Sequence, residues 1–97
     1  MIVSTHPLAE NELVDGARFY ASEGTAELGE DFVSEFERPI NLLRAHPLLG
    51  AVWRCRFRRL PLRRFPYSIV YVPSGELLRV IALAHQRRRP GYWRGRV

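Results

Sequence analysis

The amino-acid sequence predicts an α+β fold in which a helical hairpin packs on a small antiparallel sheet, in the order β-α-α-β-β-β. Three observations predict it: apolar residues at helical spacing in the first half, short apolar runs in the second half, and a split in charge. Residues 1–50 carry three arginines against nine acidic residues, a net charge of −6. Residues 51–97 carry twelve arginines against Glu76 alone, a net charge of +11. This asymmetry favours an acidic helical layer and a basic working surface.

The first half predicts one short strand and two helices. Met1–Val3 is an apolar start, and Pro7 suits the first position of a helix, where its missing N–H costs no hydrogen bond. Gly24 indicates the end of this helix, and Thr25 is a suitable N-cap for the next. The second helix has an apolar stripe at helical spacing, made of Leu28, Phe32, Phe36, Ile40 and Leu43. We therefore expect the two helices to pair as an antiparallel hairpin.

The second half predicts a meander of strands. Apolar residues alternate with arginines over 53–58, which is typical of a half-buried strand with a basic outer face. The inner residues are Trp53, Cys55 and Phe57, and the outer ones are Arg54, Arg56 and Arg58. On this interpretation Cys55 is a small core residue and not a nucleophile. Phe65–Val72 is apolar on both faces apart from Ser68, as in a central strand. Pro73–Glu76 predicts a hairpin turn and Leu77–Ala84 the last strand.

Length and composition limit the class of protein. A chain of 97 residues fits one domain, which we expect to span residues 1–97. The single cysteine, Cys55, allows no intramolecular disulfide. Met1–Glu10 has neither a basic n-region nor an apolar h-region, and no apolar run reaches the length of a membrane span. No histidine–cysteine cluster has metal spacing, and no glycine-rich phosphate loop is present. We therefore expect a cytoplasmic protein without metal, cofactor or membrane contact.

Arginines in the second half are the candidate binding residues. The guanidinium group offers a planar fork of donors that suits phosphates and carboxylates, so a polyanion or an acidic protein segment is the natural partner. The candidates for binding a target or partner are Arg54, Arg56, Arg58, Arg59, Arg63, Arg64, Arg88 and Arg89. An ordinary solvated strand face is the alternative, but so many arginines with almost no balancing acid favour contact with a ligand. We expect these guanidinium groups to gather on one exposed side.

Four stretches of the sequence resemble the RelE/ParE toxin superfamily. They are "ELVDGARFY" (Glu12–Tyr20), "LGEDFVSEFERPINLLRAHPLLG" (Leu28–Gly50), "RRLPLRRFPYSIVY" (Arg58–Tyr71) and "VIALAHQRRRPGYW" (Val80–Trp93). They are similar, in order, to the family's first helix, its second helix with the His-Pro stop, its central strands, and the C-terminal signature of many plasmid-stabilisation members. The resemblance covers nearly the whole chain and supports the same fold.

The resemblance implies that the chain is the toxin of a type II toxin–antitoxin pair. ParE-like members inhibit DNA gyrase, whereas RelE-like members cut messenger RNA in the ribosome without a metal. Family antitoxins wrap an extended or helical segment around the toxin, so the resemblance implies a heteromeric complex with a cognate antitoxin. We expect that segment to lie over the arginine-bearing sheet face or the helical hairpin.

Cleavage of RNA would need proton-transfer groups besides arginine, whose pKa is too high for a base. The candidate catalytic residues are His85, Tyr92 and Arg87. Strand alternation would place His85 on the same side as Arg79, Ile81 and Leu83. The alternative is that His85 closes the strand through a backbone hydrogen bond. Tyr92 and Trp93 could stack on a base, but such residues more often pin a tail onto the core, which is the interpretation we favour for the basic tail.

The sequence departs from the RelE pattern at three places. Ser68 stands where RelE-like nucleases carry an arginine after the central tyrosine, Gln86 follows His85 where a basic residue is usual, and Pro61 replaces a second basic residue after Arg59. These departures favour inhibition by binding, with gyrase as the leading target. The first alternative is a RelE-like endoribonuclease, and the second is a non-toxic basic module that binds nucleic acid.

Overall fold

A computed structural model describes residues 1–96, so Val97, the end of the predicted domain and of its basic tail, lies outside the described residues. The elements are β1 (Ile2–Thr5), α1 (Pro7–Glu23), α2 (Ala26–Ala45), β2 (Ala51–Val52), β3 (Arg58–Pro61), β4 (Tyr67–Ser74) and β5 (Leu77–His85). The strands form one sheet in the order β1-β5-β4-β3-β2, with the two helices packed on it. The predicted α+β class and helical hairpin are confirmed. Neither helix combines the length and apolar composition needed to cross a bilayer.

Two details of the sheet differ from the prediction. β1 pairs with β5 in parallel, with Ile2 opposite Leu77, so the sheet is mixed and not wholly antiparallel. A strand of four residues can pair in either direction. Its own sequence does not specify its partner strand, which depends on the path of the whole chain. β2 is an additional strand of two residues, opposite the start of β3. Two residues are too short for side-chain alternation to indicate a strand.

The helix ends follow local sequence signals. His6 Nδ1 accepts a hydrogen bond from the backbone N–H of Leu8 at 3.0 Å, and Thr25 Oγ1 accepts one from that of Leu28 at 3.1 Å. The N–H of Gly24 donates to the carbonyl of Tyr20 at 2.9 Å and closes α1. Each contact pairs a backbone group that the end of a helix leaves without an intrahelical partner. The predicted start and end of α1 and the predicted start of α2 are therefore confirmed.

The two helices approach closely at glycines. A Cβ added to Gly16 would lie 2.5 Å from the ring of Phe32, and one added to Gly29 would lie 2.8 Å from the carbonyl oxygen of Ala17. Phe32 fills the space beside Gly16 and contacts the rings of Tyr20 and Phe65, with ring centroids 5.2 and 5.0 Å apart. This aromatic group forms the centre of a core between the helices and the sheet.

A β-bulge in β5 reverses the alternation of its side chains. Val70 lies opposite Ala82 while Tyr71 lies opposite Val80, so Ile81 has no partner residue on β4. Ile81 packs away from the helices, whereas Leu83 belongs to the core under them. The prediction that Arg79, Ile81, Leu83 and His85 share one side was therefore wrong. An unpaired residue of this kind moves each later side chain of the strand to the opposite face of the sheet.

The sheet face opposite the helices, called the far face below, carries a second core. Trp93 is 1% exposed and packs there with Phe57 at a ring-centroid distance of 4.6 Å. The other members of this core are Val70, Val72, Ile81 and Ala82. The expectation that Trp93 pins the tail onto the core is confirmed. The far face is therefore covered at its centre and basic at its margins.

The segment 53–57 is a loop and not the predicted strand. The N–H of Trp53 donates to the carbonyl of Phe57 at 2.7 Å, and the chain reverses between them. Arg54 and Cys55 both have φ of 58°, in the left-handed region that non-glycine residues rarely adopt. The thiol of Cys55 is exposed, so its assignment to the core was wrong. Five alternating residues imitate a strand, and the sequence carries no glycine that would indicate the turn.

Candidate binding surface

Exposed arginines surround the aromatic residues of the far face. The guanidinium carbons of Arg54 and Arg59 lie 5.3 and 5.2 Å from the ring centroid of Trp53. Arg56 lies 5.5 Å from the ring centroid of Phe57. Cation–π contacts of this kind stabilise exposed pairs by about 0.5–1 kcal/mol and restrict the guanidinium groups without neutralising them. These three side chains therefore present positive charge to solvent in defined positions.

A groove crosses the far face at the pair Ser68 and Ala84, which lie opposite each other on β4 and β5. Both side chains are small, so the sheet is open here, whereas Trp93 covers it farther along. Aromatic and arginine side chains form the walls of this Ser68–Ala84 groove; they include Trp53, Arg59, Arg88, Arg89, Tyr92 and Trp93. None of the described residues that line it is acidic. The groove is therefore open and basic, and its charge favours an anion.

Arg58 was predicted to lie on the outer side of a strand, but its side chain holds a neighbouring loop. Its Nη1 donates to the carbonyl oxygens of Leu48 and Gly50 at 3.1 and 2.8 Å. The hydroxyl of Tyr71 holds the same loop, because it donates to the carbonyl of Pro47 at 2.9 Å and accepts from the N–H of Gly50 at 2.8 Å. Burial raises the pKa of Tyr71 and keeps this phenol neutral. Arg58 is thus engaged in fixing the chain between α2 and β3.

Arg63 and Arg64 lie against the acidic helix α2 and not on the far face. Their backbone N–H groups donate to Glu35 Oε1 at 3.2 and 3.3 Å. The guanidinium group of Arg64 also lies 3.4 Å from a carboxylate oxygen of Asp31. The prediction that the guanidinium groups gather on one exposed side was therefore wrong in part. The connection between β3 and β4 turns towards the helices, which alternation within the strands does not reveal.

The residues Glu12, Leu83, Tyr92 and Arg96 form a polar cluster, called the Glu12 clasp below. The hydroxyl of Tyr92 donates to Glu12 Oε2 at 2.5 Å, and the backbone N–H of Leu83 donates to Oε1 at 3.0 Å. Arg96 completes the cluster through two hydrogen bonds to the same carboxylate, at 2.8 and 3.1 Å. Paired oxygens and nitrogens of this kind give the strongest arginine–carboxylate contacts. One carboxylate of α1 thereby joins β5 to the C-terminal segment.

The clasp determines the chemistry of Tyr92. Burial, the hydrogen bond to Glu12 and the negative charge of that carboxylate together raise the pKa of Tyr92 well above its ordinary value. Arg88 lies over the ring at 4.0 Å, and Arg96 lies 5.1 Å from its centroid. A phenol held in this way stays protonated and has committed its proton to a carboxylate. Tyr92 is therefore poorly suited to take a proton from a substrate.

His85 lies at the end of β5, as predicted, and closes it through a backbone contact. Its Nδ1 accepts a hydrogen bond from the N–H of Arg87 at 3.0 Å, and its ring packs edge-on against Tyr67 with centroids 4.9 Å apart. Since Nδ1 accepts, the ring proton lies on Nε2, which then donates and does not accept. The side chain of Arg87 is exposed, and this contact uses only its backbone.

The predicted catalytic residues lie near one another without forming an open acid–base pair. His85 and Tyr92 line a common recess with Glu12, Asp15 and Arg88, on the side of β5 that faces α1. Within residues 1–96, no group of three histidine, cysteine or acidic side chains is arranged to hold a metal ion. Because Tyr92 donates to Glu12 and Nδ1 of His85 accepts from a backbone N–H, these side chains do not form a free acid–base pair for proton transfer.

Sequence reasoning missed Glu12 and Arg96. Glu12 has the appearance of an ordinary acid in the first part of a helix, and Arg96 was one of many arginines in the tail. They are separated by 84 positions in the chain, and no spacing rule connects residues so far apart. The only available signal was that Tyr92 needs a hydrogen-bond partner when it is buried.

Comparisons with known proteins agree with this geometry. Residues 3–90 match the family model described as the ParE toxin of the type II toxin–antitoxin system parDE. A solved structure described as a chromosomal ParDE TA system from P. aeruginosa shares the fold, with a TM-score of 0.78 and 18% sequence identity. That similarity covers 88% of this chain and 95% of the other. The comparison with curated proteins gave no match. Because the family model spans most of the chain, this protein belongs to the ParE family of toxins of type II toxin–antitoxin systems.

Proposed function

We propose that this toxin arrests growth in the cytoplasm by binding a core target, with DNA gyrase as the leading target. The observation that carries the proposal is that the far face presents exposed arginines, including Arg54, Arg56 and Arg59, while the proton-transfer candidates are engaged in structural contacts. A surface of this kind binds a macromolecule through charge and stacking. Inhibition by occupancy needs no acid–base pair.

A gyrase assay tests the proposal directly. The purified protein should block ATP-dependent supercoiling of relaxed plasmid DNA and leave RNA intact in the same buffer. The double variant Arg54→Gln/Arg56→Gln should weaken inhibition about tenfold or more, because two charged contacts are lost. The matched control Arg63→Gln/Arg64→Gln removes the same charge on the helix side and should change it less than threefold. Unimpaired supercoiling at a large excess of toxin would refute gyrase as the target.

The partner that follows from the family is a cognate antitoxin. The solved neighbour is described as a ParDE system, and a family built on such pairs supports a heteromeric complex for this chain as well. We place the antitoxin over the exposed arginines of the far face, because an acidic or extended segment would neutralise them. Arg58 is not a suitable test residue, since its side chain holds the loop after α2.

Coexpression and affinity measurements test this partner. Induction of the toxin alone should stop growth, and coexpression of the neighbouring gene should restore it. Replacement of Arg54 and Arg56 by alanine should weaken the purified complex at least tenfold, whereas replacement of Arg63 and Arg64 should not. Equal affinities for both variants would place the antitoxin elsewhere. Normal growth during induction would favour the remaining alternative, a non-toxic basic module that binds nucleic acid.

A ribosome-dependent endoribonuclease is the second candidate. The observation that favours it is that His85, Arg88 and Tyr92 line one recess at the end of β5. Primer extension on messenger RNA after induction would show cuts at fixed codon positions. If such cuts appear, His85→Ala, Tyr92→Phe and Arg87→Ala should each reduce them. Cuts that persist in all three variants would exclude these residues as catalysts, and a lack of cuts would exclude the nuclease.

A further inference from the structure

We infer that the Ser68–Ala84 groove is a nucleotide site, in which arginines hold the phosphate and the stacked arginine and aromatic side chains of its walls hold the base. The groove exists because two small residues face each other across β4 and β5. The adjoining part of the far face is filled by Trp93, whose ring lies 5.2 Å from that of Trp53 at an angle of 56°. The partly exposed indole of Trp53 and the open strand pair line this groove, and the buried Trp93 closes one end of it.

The charges around the groove favour an anion at this place. Arg59 and Arg89 lie on its rim, whereas the recess on the other side of His85 contains Glu12 and Asp15; Arg88 lines both. A phosphate would be repelled from that recess and attracted to the groove. His85 lines both, and because Nδ1 accepts from Arg87, Nε2 carries a hydrogen to donate. The groove thus offers guanidinium and imidazole donors to one anionic group.

The aromatic walls distinguish a nucleotide from an acidic peptide. Arg59 lies over the ring of Trp53 and Arg88 over that of Tyr92, so arginine and aromatic surfaces alternate along the groove. Bases stack on indole, phenol and guanidinium surfaces, and this is how proteins hold unpaired nucleotides. A glutamate or aspartate side chain has no such planar ring to offer. The site therefore suits a nucleoside phosphate, either free or within a single strand.

Tryptophan fluorescence reports occupancy of the groove directly. The chain has two tryptophans, Trp53 and Trp93, and both line it. The full-length protein would be titrated with a ten-residue oligothymidylate, with AMP, and with a polyglutamate peptide of ten residues. We expect the oligonucleotide to quench the emission, with an affinity that falls as salt rises. Quenching by AMP at similar concentrations would identify a free nucleotide as the ligand, and quenching by the oligonucleotide alone would identify a single strand.

Three variants separate this site from general attraction to a basic protein. Ala84→Leu fills the floor without changing the charge, and Arg89→Gln removes one rim charge; each should weaken oligonucleotide binding about tenfold. The matched control Arg63→Gln removes the same charge outside the groove and should change binding less than twofold. Circular dichroism verifies folding. If Ala84→Leu does not fold, the oligonucleotide affinities of Arg89→Gln and Arg63→Gln are sufficient to test the site.

Several results would overturn the inference. Equal losses of oligonucleotide affinity in Arg89→Gln and Arg63→Gln would indicate diffuse electrostatic binding. Full affinity in a folded Ala84→Leu variant would show that the floor is not used. Tighter binding of polyglutamate than of the oligonucleotide would assign the groove to an acidic peptide. Because the assay contains no gyrase, its failure and a failure of gyrase inhibition are separate results, and either proposal can stand without the other.

Discussion

The two faces of the sheet are covered in different ways. On one face, two helices of 17 and 20 residues bury an aromatic core around Phe32. On the far face, a short segment without helix or strand buries one large residue, Trp93, and is held from the side by the Glu12 clasp. The comparison shows a division between a face that holds the fold and a face that carries the groove and the exposed arginines. Four substitutions test this division.

Phe32→Ala should have the largest effect, because this ring is fully buried between the helices and the sheet. Loss of its contacts leaves a cavity beside Gly16, and we expect the free energy of unfolding to fall by about 4 kcal/mol. Urea denaturation followed by far-UV circular dichroism would measure the change. Phe19→Ala is the control on α1, where the ring is 55% exposed, and should change stability by about 0.5 kcal/mol or less.

Trp93→Ala should destabilise the protein by about 3 kcal/mol, near the lower end of the range for a buried tryptophan. The effect should be smaller than that of Phe32→Ala, because the covering segment is short and can settle over the gap. The same denaturation experiment measures it. A loss equal to or greater than that of Phe32→Ala would contradict the division between the two faces, since the far face would then contribute as much to the fold.

Glu12→Gln should lower the free energy of unfolding by about 2 kcal/mol, because it leaves the guanidinium group of Arg96 without its negative partner. The side chains of Arg96 and Glu12 are 12% and 14% exposed. Asp31→Asn is the control, since its pair with Arg64 is about half exposed and should contribute about 0.5 kcal/mol at most. Similar decreases in the free energy of unfolding in both variants would show that the clasp is no stronger than a surface ion pair.

Tyr92→Phe should have the smallest effect and should be most visible in alkali. The folded protein raises the pKa of Tyr92, so the neutral phenol is favoured in the folded state. The stabilisation is fully present below the ordinary tyrosine pKa of about 10 and is lost as the pH rises towards the folded value. The unfolding free energy of the parent protein should therefore fall more steeply above pH 10 than that of Tyr92→Phe. If the two unfolding free energies fell in parallel above pH 10, this would contradict both the burial of Tyr92 and its hydrogen bond to Glu12.

Much of the helix-covered face was predictable from sequence, because its signals are local. The stripe from Leu28 to Leu43, the cap at Thr25 and the end of α1 at Gly24 each depend on residues within a few positions of one another. Spacing of this kind follows from helix geometry whatever the rest of the chain does. The fold class was confirmed because it rests largely on these local signals, and the family model over residues 3–90 confirmed the resemblance.

The far face was harder to predict, because its arrangement depends on contacts distant in sequence. Alternation around Cys55 indicated a strand where the chain makes a loop, and counting along β5 failed at the bulge beside Ile81. The site residues were assigned to one basic surface, but the structure turns Arg58 and Arg64 to other partners. Charge composition predicts that a basic surface exists, but not which arginines compose it.

The Glu12 clasp has a consequence for how the molecule opens. The amide of Leu83 donates to a carboxylate of α1, and the same carboxylate holds Arg96 near the other end of the chain. Solvent deuterium can replace that amide hydrogen only when the carboxylate withdraws, and this also frees the C-terminal segment. Exchange at Leu83 should therefore follow the release of the segment that carries Trp93. The exchange rate of this one amide would therefore report how often the far face becomes exposed to solvent.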